Sequence, residues 1–175
     1  MLKNIFIAVV AIVVTGGVLT YVLAQQLTDT ARINRVAHSI ANFDLPAGYQ
    51  ADYAVEILDY TIAAYQSADG HGHLALLQAP ANVIPNEQVM QGYVANNDQQ
   101  TMTWSSSTLV GSEQHLVRGQ PATAMITDRI NSEGETYRSL NMVFEGENGT
   151  ILLVINQPLT QWDDASIEAF IASIR

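Results

Sequence analysis

The chain contains no cysteine among its 175 residues. It therefore has no disulfide bond, no thiol nucleophile, no cysteine-based zinc site and no lipid-modified N-terminal cysteine. A chain of this length buries enough apolar surface to fold without disulfides, so the absence of cysteine does not identify a cellular compartment.

Basic residues are also scarce, with seven Lys+Arg against 17 Asp+Glu and a formal net charge of −10. From residue 43 onward the strong cations are Arg118, Arg129, Arg138 and Arg175, whereas the same stretch holds every acid except Asp29. Nucleic-acid phosphates need lysine and arginine for neutralisation, so the charge excludes nucleic-acid binding as a leading function. The simplest interpretation of the charge is solubility. The alternative is a docking face for a basic partner or for cations.

Catalytic motifs are missing as well. The sequence has no Gly-x-x-x-x-Gly-Lys phosphate loop. No Gly-x-Ser-x-Gly elbow surrounds Ser105, Ser106 and Ser107, so these serines and His115 do not indicate a hydrolase. We therefore predict no catalytic residue and no cofactor, and the sequence does not favour an enzyme.

The N-terminal region is the longest apolar stretch of the chain. Residues 5–24 carry no charge, and a helix of this length spans ~30 Å, the thickness of a bilayer core. The run predicts a transmembrane anchor within residues 1–24, with the following domain in the periplasm or outside the cell. A cleaved signal peptide is the alternative, because Val22 and Ala24 suit the −3 and −1 positions of a cleavage site. Cleavage near Ala24 would release a secreted protein.

Residues 25–42 connect this segment to the rest of the chain. Ile33, Val36, Ala37 and Ile40 recur at helical spacing. The pattern predicts a linker or stalk helix, or a helix that lies on the domain. We place the acidic extracytoplasmic domain at residues 43–175.

Most of this domain has the period-two pattern of strands. Ala51, Tyr53, Val55 and Ile57 alternate with more polar neighbours and predict one half-buried strand. Further strands are predicted at 60–66, 73–78, 102–110, 113–117, 122–130, 136–145 and 150–156, and helices at 86–96 and from Asp163 or Asp164 to the end. Residues 151–155 are apolar on both faces, which indicates a central strand. The predicted fold class is α+β: an N-terminal transmembrane helix, then one antiparallel sheet with helices packed on it.

Three short segments resemble a known group of folds. These are residues 43–49 (Phe-Asp-Leu-Pro-Ala-Gly-Tyr), residues 119–122 (Gly-Gln-Pro-Ala) and the C-terminal helix with Trp162 before it. With the order of elements, they resemble the PsbP-like α/β/α sandwich domains over about three quarters of the chain. The resemblance implies a binding or assembly role rather than catalysis. It names no partner, and no ligand residues carry over from it.

Two sets of residues are candidate binding sites. Tyr49, Tyr53, Tyr60 and Tyr65 cluster near the first predicted hairpin, where amphipathic aromatics line a ligand groove or pack in the core. Asp69, His71 and His73 are candidate metal ligands, because residues i and i+2 of a strand face the same way. Asp69 and Gly70 are also ordinary turn residues.

Together these observations predict a non-enzymatic, membrane-tethered binding or assembly module outside the cytoplasm. It would contact the membrane through residues 5–24 and a protein partner through its domain. One alternative is a small-ligand or lipid carrier that uses the four tyrosines and a large apolar pocket. The other is a metal-binding protein that uses the Asp69, His71 and His73 turn.

Overall fold

The computed structural model describes residues 29–57, 59–80, 83 and 104–175. The elements are α1 (Thr30–Ile40), β1 (Tyr49–Ile57), β2 (Tyr60–Ser67), β3 (His73–Ala79), β4 (Trp104–Val117), β5 (Gln120–Asn131), β6 (Thr136–Glu145), β7 (Thr150–Pro158), a 3₁₀ turn (Leu159–Gln161) and α2 (Asp164–Ser173). The predicted membrane segment at 5–24 and the predicted helix at 86–96 lie outside the described residues. Within those residues, no helix has the length and apolar character needed to cross a bilayer.

The seven strands form one antiparallel sheet in the order β1-β2-β3-β7-β6-β5-β4. The fold class of one antiparallel sheet with helices is therefore confirmed. Strand β7 occupies the centre, as its apolar sequence predicted. Ile151, Leu153 and Ile155 are buried on one face, and Leu152 is buried on the other. A strand covered on both sides must be apolar at every position, which explains the uninterrupted run.

Helix α1 packs on the sheet and is part of the core. Asp29 caps its start by accepting a hydrogen bond from the backbone N–H of Ala31 at 3.1 Å. The four apolar residues of the predicted stripe are all buried against the sheet: Ile33, Val36, Ala37 and Ile40. The segment was predicted to be either a stalk or a helix that lies on the domain, and in the structure it lies on the domain. The folded domain is therefore longer than 43–175.

Helix α2 covers the same face of the sheet as α1. Asp163 caps it by accepting a hydrogen bond from the N–H of Ala165 at 3.1 Å, as its position in the sequence predicted. The predicted stripe of Ile167, Phe170, Ile171 and Ile174 is buried. The ring of Phe170 meets that of Phe43 edge-on at 5.5 Å. Both described helices thus share one core with this face of the sheet.

The period-two interpretation of β1 is wrong across part of the strand. The pairing with β2 shifts between Ala51 and Tyr53, where one extra residue forms a β-bulge. Ala51 therefore packs in the helix-side core, whereas Tyr53 and Val55 pack on the opposite face. A single inserted residue reverses the alternation, because side chains change face at every residue of a strand.

The prediction of separate strands at 102–110 and 113–117 is also wrong. The structure has a single strand there, β4, which begins at Trp104 and continues through Gly111 and Ser112 to Val117. Its pairing with β5 is irregular between Leu109 and Gly111. The glycine therefore marks a bulge in a continuous edge strand rather than a turn.

Candidate functional site

The sheet separates the four predicted tyrosines. Tyr49 and Tyr65 lie on the helix-side face, and Tyr53 and Tyr60 lie on the opposite face. Tyr65 is buried, its hydroxyl donates to Asn34 Oδ1 at 3.3 Å, and burial raises its pKa to about 12. The bulge in β1 places Tyr49 and Tyr53 on different faces, so the four side chains do not form one site.

Tyr49 lines a pocket at the junction of the sheet and the start of α2. The cavity has a volume of about 190 Å³. One part of its wall is apolar and is formed by Leu74, Ile155 and Ile167. The other part carries hydroxyl, amide and carboxylate groups, which belong to Tyr49, Gln157, Gln161, Asp163 and Ser166. The pocket is therefore suited to a small molecule with both apolar and polar parts.

Gln157 supplies the one buried acceptor of this pocket that lacks a partner among the described residues. Its Nε2 donates to the hydroxyl oxygen of Tyr49 at 2.6 Å, while its Oε1 is buried and accepts no hydrogen bond. Burial raises the pKa of Tyr49, so the phenol stays protonated at neutral pH. A bound hydrogen-bond donor would satisfy the amide oxygen of Gln157. The cavity is nevertheless smaller than the roughly 300–1,000 Å³ of typical ligand pockets.

Asp69 organises the turn that joins β2 to β3. Its Oδ1 accepts hydrogen bonds from Ser67 Oγ at 2.5 Å and from the N–H of His71 at 3.1 Å. Its Oδ2 accepts from Gln161 Nε2 at 2.7 Å. These hydrogen bonds give Asp69 a structural role in the turn that requires no metal ion. The three predicted ligands are not among the described groups whose donor atoms all lie within 4.8 Å of one another. Metal binding by Asp69, His71 and His73 stays a prediction.

The hydrogen bonds to Asp69 predict a pH-dependent stability. They lower the pKa of its carboxyl from 3.8 to about 2, with Ser67 contributing most. Because the folded state favours the ionised form, this contribution is present above about pH 4 and is lost as the pH falls through about 2. We expect Asp69→Asn to lower the urea midpoint at pH 7, and this difference from the wild type to shrink between pH 4 and pH 2.

The matched control is Asp59→Asn, another exposed acid in a turn of the same sheet. Urea unfolding followed by circular dichroism at pH 7, 4, 3 and 2.5 measures both variants. A difference for Asp69→Asn that stays constant down to pH 2.5 would contradict the prediction.

A second candidate site is a broad surface on the side of the sheet away from the helices. Cross-strand partners share a face of a sheet, and the relevant β4/β5 pairs are Leu109/Thr127, Ser112/Met125, Gln114/Thr123 and Leu116/Pro121. Val143 extends the surface onto β6. We call these nine residues the outer face of β4–β6. None of them is acidic or basic, although the chain has a net charge of −10.

Large apolar side chains of this outer face are exposed. Leu116 is 72% exposed, Leu109 60% and Met125 42%, and Val143 is exposed as well. Gln114 and Thr123 lie between them and hydrogen-bond to each other at 2.6 Å across the two strands. Glu113 points to the helix side, and Arg118 pairs with Glu147 in the β6–β7 loop at 3.1 Å, whereas Glu145 of β6 and Arg129 of β5 lie on the outer side at the border of this surface.

Sequence reasoning did not identify the outer face, although a signal for it exists. Alternate residues of β4 (Ser112, Gln114, Leu116) and of β5 (Pro121, Thr123, Met125) are all uncharged. The signal becomes visible only after the register of β4 on β5 is known, because the two triplets belong to one surface only when they pair.

Comparison with known proteins identifies the fold. No protein-family model matches the chain, and no curated protein matches it. A solved structure that does match is the solution structure of cyanobacterial PsbP (CyanoP) from Synechocystis sp. PCC 6803. The two share 14% sequence identity with a TM-score of 0.50, over 79% of this chain and 87% of that chain. Similarity at this identity concerns the fold alone, and it confirms that the chain has a PsbP-like α+β fold.

Proposed function

We propose that this protein is a non-enzymatic binding or assembly module whose outer face of β4–β6 contacts a protein partner. Residues 5–24 would tether it to a membrane, with the domain outside the cytoplasm. If residues 1–24 are instead removed near Ala24, the same domain would act as a secreted module. The observation that carries the proposal is an uncharged, partly apolar sheet face on a strongly acidic chain.

The composition of this face supports protein binding. Scattered exposed apolar residues are normal on a protein surface, but a contiguous group of them indicates an interaction site. The cores of protein interfaces are depleted of charged residues, and Leu116, Met125 and Val143 surround uncharged polar groups in the same way. A partner that covers Leu116 would remove from water the most exposed large apolar side chain among the described residues.

The charge and the tether determine which partner fits. With a net charge of −10, the chain attracts a basic surface at long range, and the uncharged face then provides the contact. A membrane tether raises the effective concentration of the domain near a partner in the same membrane, which allows a face of moderate size to suffice. We therefore favour a membrane-associated protein with basic residues around an apolar contact surface.

The carrier alternative has less support. It requires a large apolar pocket, whereas the pocket beside Tyr49 has a volume of about 190 Å³ and a partly polar wall. The four tyrosines that were to line the site also lie on two faces of the sheet. The pocket is compatible with a small polar ligand, but the outer face of β4–β6 is the stronger candidate.

Crosslinking in membranes tests the proposal. The full-length chain carrying Leu116→Asp and Met125→Asp is expressed beside the wild type, and mild crosslinking is followed by purification. We expect the wild type to recover a stoichiometric partner, and the double variant to recover it at a yield at least tenfold lower. Two charges in the centre of an interface cost several kcal/mol when they are buried without partners.

The control is Ile57→Asp, because Ile57 is 42% exposed, as Met125 is, but lies on β1 at the opposite edge of the sheet. Its yield of crosslinked partner should equal that of the wild type. Recovery of a clean monomer from wild-type membranes would reject the binding-module proposal. Equal recovery by all three proteins would reject the outer face of β4–β6 as the binding surface.

A further inference from the structure

Three possible metal ligands meet between β4 and α2, away from the surfaces described above. Glu113 and His115 come from β4, and Glu168 comes from the second turn of α2. One donor atom of each residue lies within 4.8 Å of the donor atoms of the other two. Within the described part of the chain, this is the one group of three or more histidines and acids that meets this distance. No local sequence pattern predicted this group, because Glu168 is distant from the other two residues along the chain.

The imidazole of His115 is buried, and one of its nitrogens lacks a hydrogen-bond partner in the described part of the chain. Its side chain is 5% exposed, and its Nε2 accepts or donates no hydrogen bond among the described residues. Leaving a buried polar atom unpaired is costly, so each such atom in a native structure needs an explanation. A metal ion bound to Nε2 would provide one.

The distances around His115 are too long for hydrogen bonds. Nε2 lies 3.7 Å from Glu113 Oε2, and Nδ1 lies 3.6 Å from Glu168 Oε2. In a tetrahedral zinc site, with metal–ligand bonds of about 2.0–2.2 Å, neighbouring ligand atoms are about 3.3–3.5 Å apart. Because the two oxygens lie beside different ring nitrogens, at least one carboxylate has to turn toward the other nitrogen before all three residues share one ion.

The fold confines this movement to exposed side chains. Glu113 and His115 are two residues apart on one strand, so both point toward the helix side of the sheet. Both carboxylates are exposed at the rim, where their side chains rotate freely, while the imidazole is fixed in the core. One buried nitrogen and two adjustable oxygens form an asymmetric site that is open to solvent on one side.

We propose that Glu113, His115 and Glu168 bind one divalent transition-metal ion. One imidazole nitrogen and one oxygen from each carboxylate would occupy three positions, and water would complete the coordination. The imidazole favours zinc, copper, iron or nickel over magnesium and calcium, which prefer all-oxygen sites. The bound ion would link β4 to α2 and would neutralise charge on an acidic domain. This site is distinct from the predicted turn site at Asp69, His71 and His73.

Zinc titration of the full-length chain in detergent micelles tests the proposal. After treatment with EDTA and its removal, isothermal titration calorimetry with zinc chloride should give one ion per chain. Glu113→Gln and Glu168→Gln should each weaken zinc affinity by tenfold or more, since loss of an outer-shell partner alone typically costs about 10–100-fold. Both positions are exposed, so these variants keep the fold, whereas His115→Ala removes a buried side chain and risks destabilising the domain.

Two controls separate this site from other acids and histidines. Glu147→Gln removes an exposed acid of the β6–β7 loop, and His71→Ala removes a ligand of the turn site; both should bind zinc as the wild type does. Saturating zinc should raise the melting temperature of the wild type and of both controls, but not that of Glu168→Gln. The proposal is overturned if the wild type shows no saturable binding, if Glu113→Gln and Glu168→Gln bind as the wild type does, or if His71→Ala alone loses binding.

Discussion

A chain that begins at residue 43 is expected to lose cooperative folding, whereas a chain that begins at residue 25 keeps it. The difference is helix α1 with its cap at Asp29. Ile33, Val36 and Ile40 are buried in the helix-side core, and each contributes about 1.5–3 kcal/mol through burial. The three together contribute about 5–9 kcal/mol, comparable with the whole stability of a typical domain at about 5–15 kcal/mol.

Removing the helix also uncovers the sheet beneath it. Ala54, Ala63 and Leu76 would then face water, so the shortened chain should aggregate as well as unfold. Urea unfolding followed by circular dichroism compares the two chains. A sigmoidal transition for the 43–175 chain at the same midpoint as for the 25–175 chain would show that α1 is a dispensable stalk.

Phe170→Ala is expected to reduce the free energy of unfolding by about 3–5 kcal/mol. Phe170 is one of the largest fully buried side chains, and it packs in the helix-side core and meets the ring of Phe43 edge-on. Truncation leaves a cavity that neighbouring β-branched and aromatic side chains fill poorly. We expect the urea midpoint to fall with little change in the slope of the transition.

Two further variants calibrate this loss. Phe170→Leu keeps most of the volume and should cost less than half as much as Phe170→Ala. Val143→Ala truncates an exposed side chain on the other face and should stay within about 0.5 kcal/mol of the wild type. If Phe170→Ala costs no more than Val143→Ala, then α2 does not pack on the sheet as described.

Local patterns in the sequence predicted most of the described elements. The bounds of β6, the cap of α2 at Asp163 and the central place of β7 all follow from residues within one short window. Each of these features depends on local turn chemistry or on how many faces of a segment are buried.

The errors arise where one residue changes a non-local relation. The extra residue between Ala51 and Tyr53 is Asp52, whose polar side chain continues the alternation of apolar and polar residues, so nothing in the period reveals the bulge until β2 is paired with β1. Gly111 was indistinguishable from a turn glycine for the same reason. The four tyrosines were grouped by their closeness in the sequence. The bulge places Tyr49 and Tyr53 on different faces, and the odd spacing along β2 does the same for Tyr60 and Tyr65.

The candidate sites depend even more on pairing. The outer face of β4–β6 requires the register of β4 on β5. The Glu113, His115 and Glu168 cluster requires the docking of α2 on the edge of the sheet. Periodicity is read in short windows of the sequence, and neither of these contacts lies within one such window. The sequence therefore predicted the type of fold but not its surfaces.

The order of strands in the sheet also governs how the chain is made. Strand β7 joins the two halves of the sheet by pairing with β3 on one side and β6 on the other, although it is the last strand in the sequence. On the ribosome, β1, β2 and β3 emerge early. The edge of β3 that faces away from β2 has no partner until β7 has been translated, which is near the end of the polypeptide. The nascent N-terminal half therefore presents an open, apolar β3 for most of synthesis, and we expect it to depend on a chaperone or on passage through a translocation channel before residue 150 becomes available.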